Sequence, residues 1–395
     1  MATSTTTSGA APSDAGAPAR AGVVLATLIL VAAVANVNLS VANVALPDID
    51  AAFDASQTAI NLVAVGFSLG LAATVLYLGA VGDRYGRKAM LLIGMALSIP
   101  ASLLAAYAPS VEVLAVARVI GGVAAGMAYP TTLSLITALW RGHPRTRAIA
   151  LWSGLGGAVT ALGPLAGGVV LASFWWGSAF LLTLPVAVVA IVAAWRVVPA
   201  HVHEGDEPVD HLGGVLSVVA VAGIVLGIHF VGTPGATTQT LVLAGVGAVF
   251  TAGFFLRQRR AASPLFDLHV AGRRTFWVAA VAGIVVFGSL MAAIFVGQQF
   301  MQNVLGYSAL ASGAAILPGV VGLIVAAPVS AGIVQARGSR VALFVGDLLC
   351  VAGFAVMLVV WTESSSYWSV GAAYALVGLG VGLAGPPASR SLTSS

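Results

Sequence analysis

Charge is what this sequence has least of: 8% of its 395 residues are Asp, Glu, Lys or Arg, against 59% apolar residues. A soluble domain carries roughly 25% charged residues, so a water-facing surface cannot be assembled from this chain. Cysteine is nearly absent too. Cys350 stands alone, which excludes an intrachain disulfide and a cysteine metal centre. The sequence also lacks a G-x-x-x-x-G-K-[ST] phosphate loop, an H-E-x-x-H helix and histidines at metal-ligand spacing. Nucleotide hydrolysis therefore has no support as a power source, no cofactor or metal is expected, and no enzyme site is read. The run Gly378-x-Gly380-x-Gly382 has no preceding strand, so it reads as helix packing rather than a dinucleotide loop.

What is present is a series of long uncharged runs. About 20 helical residues cross a bilayer core of about 30 Å. The expected spans are Ala21–Leu46, Ala59–Val81, Ala89–Pro109, Val111–Leu139, Ala148–Phe174 and Trp176–Trp195. After a polar stretch come Leu212–Val231, Leu241–Leu256, Phe276–Val304, Ala309–Ala336, Val341–Thr362 and Tyr367–Ala388. The alternation of membrane barrel strands is missing, and hydrocarbon admits only helices or closed barrels, so the expectation is an all-α polytopic membrane protein. Residues 1–20 are small, polar and Pro-containing and read as a disordered cytoplasmic tail. The first apolar run is too long for a cleaved signal peptide.

With the N-terminus inside, sixteen of the seventeen Lys and Arg residues fall in loops or span ends on the cytoplasmic side. Arg118 is the exception, inside the fourth span. The positive balance thus reports multi-pass orientation in a cell (inner or plasma) membrane, not nucleic-acid binding, because the charges are scattered over short loops. Two internal matches point to a duplication. Gly79-Ala80-Val81-Gly82-Asp83-Arg84-Tyr85-Gly86-Arg87-Lys88 after span 2 has a degraded copy, Gly332 to Arg340, after span 10. Gly122, Gly126 and Pro130 of span 4 recur as Gly378, Gly382 and Pro386 in span 12. Spans 9 to 12 then repeat spans 1 to 4, as in secondary transporters. The expected organisation is a six-helix bundle over 21–199, a linker and two inserted helices over 200–256, and an incomplete four-helix bundle over 257–395.

These residues resemble the major facilitator superfamily, in particular its fourteen-helix drug/proton antiporter branch, with the last two helices expected to be missing. The resemblance rests on the GDRYGRK segment, on Asn38 to Pro47, on Arg118-x-x-x-Gly122, on Gly163-Pro164-Leu165-Ala166-Gly167-Gly168, and on Pro264-Leu265-Phe266-Asp267-Leu268. The segment Gln302 to Gly313, leading to Leu317-Pro318, adds to it. It implies a two-bundle transporter exporting small lipophilic or cationic compounds by alternating access, driven by protons, with a gating role for Gly79, Asp83, Arg84, Gly86, Arg87 and Lys88. The acidic residue usual in helix 1 of the branch is Asn38 here. The rival reading is a shortened, non-transporting membrane relative serving as scaffold or sensor.

Read from the residues alone, Gly156, Gly163 and Gly167 make a smooth stripe on which another helix can pack and Pro164 kinks it, while Gly168 joins Gly163, Pro164 and Gly167 only through the resemblance to the antiporter motif. A buried guanidinium at Arg118 is costly and marks a functional candidate, with water, backbone carbonyls, substrate or Glu112 as potential partners. Asp347, about 10 Å into span 11, is either a proton carrier or a carboxylate meeting Arg340. Asn36, Ser40 and Asn43 share one face of helix 1 and Asn38 the opposite one; one face would line a cavity and the other join helices. Asn61, Tyr129 and Trp152 are pocket candidates, and His229 a weaker one.

Overall fold

In the computed structural model, residues 17–18, 20–200 and 208–393 are described; the side chains of His143, Thr146, Val270, Thr275, Ala279 and 386–393 are not. The expected tail over 1–20 therefore lies almost wholly outside the described residues, as do the side chains of Pro386 and Arg390.

Among the described residues the regular structure is helical throughout. The elements are α1 (Ala21–Phe53), α2 (Gln57–Tyr85), α3 (Arg87–Ala106), α4 (Val111–Leu139), α5 (Gly142–Leu171), α6 (Ser178–Leu181), α7 (Leu184–Val197) and α8 (His211–His229). They continue with α9 (Thr237–Gln258), α10 (Leu268–Ala271), α11 (Arg274–Asn303), α12 (Ala309–Ala314), α13 (Leu317–Arg337), α14 (Ser339–Val360) and α15 (Tyr367–Thr393). Twelve helical segments are long and apolar enough to cross a membrane, with α6 and α7 forming one and α12 and α13 another.

Those two spans break where Pro185 and Pro318 enter the second position of α7 and α13. A proline is tolerated in a first helical turn, where its missing N–H would have no intrahelical acceptor, so the chain restarts a helix there. Helix α1 departs from expectation the other way. It passes Pro47 and runs to Phe53, because Ile49 beyond the proline is fully buried with Val63, Leu114 and Phe180. The GDRYGRK segment is not a loop either. Asp83 and Arg84 lie in the last turn of α2 and Arg87 opens α3, so Gly86 alone breaks the helix. Its φ of 123° is a conformation that glycine adopts without a side-chain clash.

Helices α1 to α7 close around two apolar clusters, one with Leu28, Leu91, Leu135 and Ala194, the other with Leu46, Val63, Leu114 and Phe180. Helices α11, α13, α14 and α15 share a third, with Ile294, Met301, Ile316 and Val377. Helices α8 and α9 form a hairpin whose α8 lies along α2.

The duplication is visible in the packing. Gly94 of α3 meets the backbone of Ala124 and Ala128 in α4, and Gly346 of α14 meets Gly380 and Ala384 in α15, offsets of 252 (346 − 94) and 256 (380 − 124). Gly338, 252 residues after Gly86, takes the same positive-φ position between α13 and α14. Without a hydrophobic drive between helices in lipid, such close backbone approach is a main source of association energy.

Candidate functional site

The two bundles meet mainly through α5. Residues 150, 154, 157, 161, 164 and 168 recur at i+3 and i+4 and share one face. At the C-terminal end that face is sealed. Gly168 touches the backbone of Ala309 and Leu310, and Gly313 reciprocates against Pro164 and Leu165, whose Cα lies 2.8 Å from where a Gly313 Cβ would stand. Ala161 joins the second bundle's apolar cluster. Midway, Gly157 just reaches Leu323. Towards the N-terminal end, Gly154 has no neighbour within 4 Å and Ala150 is exposed. The bundles form a wedge, closed at one end and open at the other. Gly163 and Gly167 serve the opposite contact, admitting Ser40 and Val41 of α1. The four α5 residues named from sequence thus divide between both neighbours.

Asn36, Ser40, Asn43 and Asn38 are all buried. Asn36 donates to Gly156 O of α5 at 3.2 Å, and Ser40 packs at Gly163, so that face joins α1 to α5. Asn38 donates to Val34 O and to Thr183 Oγ1, each at 3.0 Å. Both faces join helices and neither opens to the wedge. The glycines of α5 let its backbone come against Asn36 and Ser40. The Asn38 face also lines a small cavity of about 20 Å³, shared with Phe67, Ser98, Ser102 and Gly121 within the first bundle. That is room for about one water, not for a substrate.

Arg118 is 2% exposed and locked inside the first bundle. Its Nη1 donates to Asn38 O at 2.8 Å and its Nε to Val63 O at 3.3 Å, while the guanidinium lies 4.9 Å from the Phe67 ring centre and 5.5 Å from that of Phe180. Two carbonyls and two ring faces thus hold the cation among α1, α2, α4 and α6. Of the partners considered from sequence, backbone carbonyls are the ones found; Glu112 is exposed at the start of α4. The second bundle repeats the bond with another residue. Tyr374, 256 residues on, donates to Ala293 O, 255 residues after Asn38, at 3.3 Å.

The GDRYGRK segment is tied within the first bundle. Asp83 Oδ1 accepts from Arg87 Nε at 2.5 Å and from Ser134 Oγ of α4 at 2.9 Å. Lys88 Nζ donates to Trp195 O in the last turn of α7 at 2.6 Å, a favourable place for a cation. Gly79 and Gly82 lie near Pro130 and Thr131 of α4, and Arg84 over the Tyr85 ring. Asp347 is half-buried in α14 with Oδ1 reaching no protein donor, and no ion pair to Arg340 occurs among the described residues. His229 Nε2 likewise reaches no acceptor. Trp152 donates to Thr132 at 3.0 Å and packs on Tyr129, which makes both structural members of the first bundle; Asn61 accepts from Gln57 on the exposed end of α2.

Sequence reasoning missed Val63, Phe67, Phe180 and Thr183, which complete the Arg118 and Asn38 surroundings. It also missed Asp210, which caps α8 by accepting from Gly213 N at 3.0 Å and pairs with Arg257 at 3.1 Å. An acidic residue just before an apolar run is a helix-start signal, so Asp210 was readable.

Comparison with known proteins agrees with this architecture. The chain is 33% identical over 387 residues to "Multidrug efflux pump LfrA" of Mycolicibacterium smegmatis, covering 97% of this chain and 76% of that protein. It is 31% identical to "Multidrug resistance protein Stp" of Mycobacterium tuberculosis, covering 89% of this chain and 64% of the relative. The fold is similar to a crystal structure of a peptide transporter, POT, at a TM-score of 0.65 and 13% identity, over 93% of this chain and 87% of that one. With the model of the Major Facilitator Superfamily matching residues 28–395, the chain belongs to that superfamily.

Proposed function

We propose that this protein exports small lipophilic or cationic compounds across the cell membrane by alternating access, in exchange for protons, with its N-terminus in the cytoplasm. The observation that carries the reading is the α5 face, sealed by Gly168 and Pro164 at one end and open at Gly154 and Ala150 at the other. Two rigid bodies touching at one end of a shared face are the parts a rocking transporter needs. The concentration of Lys and Arg at the opposite end supports calling that end cytoplasmic, so the state described is inward-open. The drug efflux and drug resistance for which the two relatives are named support export of drug-like compounds.

For the proton, Asp347 is the candidate carrier. It is an acid inside a span with no ion pair among the described residues, and intramembrane carboxylates commonly serve as proton relays. Arg118 differs, being held by carbonyls inside one bundle, and its role in this reading is to fix α1, α2 and α4 as one body. The test uses the full chain in proteoliposomes enclosing a pH-sensitive dye, with a fluorescent lipophilic cation as substrate. Substrate-dependent proton movement that disappears in Asp347→Asn supports the proposal. Substrate movement without any proton movement overturns the coupling, and proton movement unchanged in Asp347→Asn overturns the carrier assignment.

A further inference from the structure

The inserted hairpin has no counterpart in either repeat, yet its first helix is fastened to the gating segment. His211, the first residue of α8, places Nδ1 2.9 Å from Tyr77 Oη and Nε2 3.4 Å from Tyr85 Oη, both on α2. The imidazole stands edge-on to the Tyr77 ring and stacks over Tyr85. One turn on, Gly214 lies so close to Tyr77 that an added Cβ would stand 2.5 Å from its Cγ. Tyr85 is the tyrosine of the GDRYGRK segment. The last turns of α2 are therefore held from two sides, by Ser134 of α4 through Asp83 and by His211 of α8 through the tyrosines.

The residue before His211 reaches the other way. Asp210, buried, accepts from Arg257 Nε and from Gln258 Nε2 at 3.2 Å, and Gln258 Oε1 accepts from Phe266 N at 3.1 Å. Phe266 belongs to the segment leading through α10 into the second bundle. Two adjacent residues thus join three parts: the gating turn, the inserted hairpin, and the connection to the second bundle.

We propose that His211 is a positioning residue for the gating segment. It holds Tyr77 and Tyr85 so that α2 and the inserted hairpin move as one body, and Asp210 and Gln258 transmit displacement of the inter-bundle connection to that turn. This rests on the transport reading for its consequence, but the contact itself can be tested without transport. Because a neutral imidazole offers one donor and one acceptor, glutamine can replace both hydrogen bonds and leucine neither.

The experiment uses the full chain carrying Met90→Cys in a Cys350→Ala background, a buried position just after the segment whose side chain packs at Gly82, read by maleimide labelling. His211→Leu is expected to raise the labelling rate about fivefold or more, as for loss of one to two net hydrogen bonds, with His211→Gln within about twofold of the parent. In parallel, uncoupler-sensitive efflux of ethidium, per protein in the membrane, should fall by a similar factor in His211→Leu at unchanged half-saturation and recover in His211→Gln. Labelling that is the same in all three chains, or equally raised in both variants, overturns the proposal. If the parent shows no uncoupler-sensitive efflux the transport reading fails, while the labelling pattern still decides for or against the positioning role.

Discussion

Adding one methyl group at Gly168 should push the closed end of the wedge apart. In Gly168→Ala the new Cβ would stand 2.8 Å from Leu310 Cα and closer still to Ala309 O, both main-chain atoms that no rotamer change can move. Overpacking of this kind costs about 1 to 3 kcal/mol, and here the cost falls only on the state in which α5 and α12 touch. At about 1.4 kcal/mol per factor of ten, the closed-end state should lose about 5-fold to 150-fold in population relative to the alternative. Gly154→Ala is the matched control, on the same face of the same helix with nothing within 4 Å. Spin labels at Tyr107→Cys and Trp368→Cys, exposed and at that end of the first and second bundles, report the separation by pulsed electron resonance in a Cys350→Ala background. The distance distribution should move to longer values in Gly168→Ala and stay put in Gly154→Ala. An unchanged distribution in the first, or an equal shift in both, would refute the wedge.

Other outcomes follow from the same geometry. Arg118→Lys keeps the charge but loses the fork that reaches Asn38 O and Val63 O; at about 1.5 to 3 kcal/mol per charged hydrogen bond, the midpoint of thermal unfolding in detergent should drop clearly. Gly122→Ala should be costly because its Cβ would overlap Phe67 O and stand 2.8 Å from Leu71 N, whereas Gly245→Ala, with open space around it, should be neutral or slightly stabilising by the same assay. Asp210→Ala removes a helix cap worth about 1 kcal/mol together with the Arg257 pair, and should expose the connection near Phe266 to faster proteolysis.

Much of the fold could be read from the chain because hydrocarbon imposes simple rules. Twelve spans follow from run length alone, and the glycines at 122, 126, 378 and 382 mark the packing of the fourth helix on the second in each half. The site was less legible, for physical reasons. Arg118 bonds to main-chain carbonyls through Nε and Nη1, with Nη2 left buried and unpaired, and since every residue has a carbonyl nothing in the side-chain pattern singles out Asn38 or Val63 as its partners. The sequence left open which polar face of α1 lines a cavity and which joins helices, because the smooth face of α5 that covers Asn36 and Ser40 could be read separately but not its register against α1. His211 meets Tyr77 and Tyr85 across more than a hundred residues, and only the lateral docking of α8 on α2 brings them together.

The central claim is export by alternating access powered by protons, and efflux of a fluorescent lipophilic cation from energised cells expressing residues 1–395 tests it most directly. The account predicts efflux that stops on adding an uncoupler and is lost when Asp83→Ala removes the acceptor that ties the end of α2 to Ser134 and Arg87. Efflux indifferent to the uncoupler, or none from a chain shown to be folded in the membrane over a panel of such cations, would contradict it.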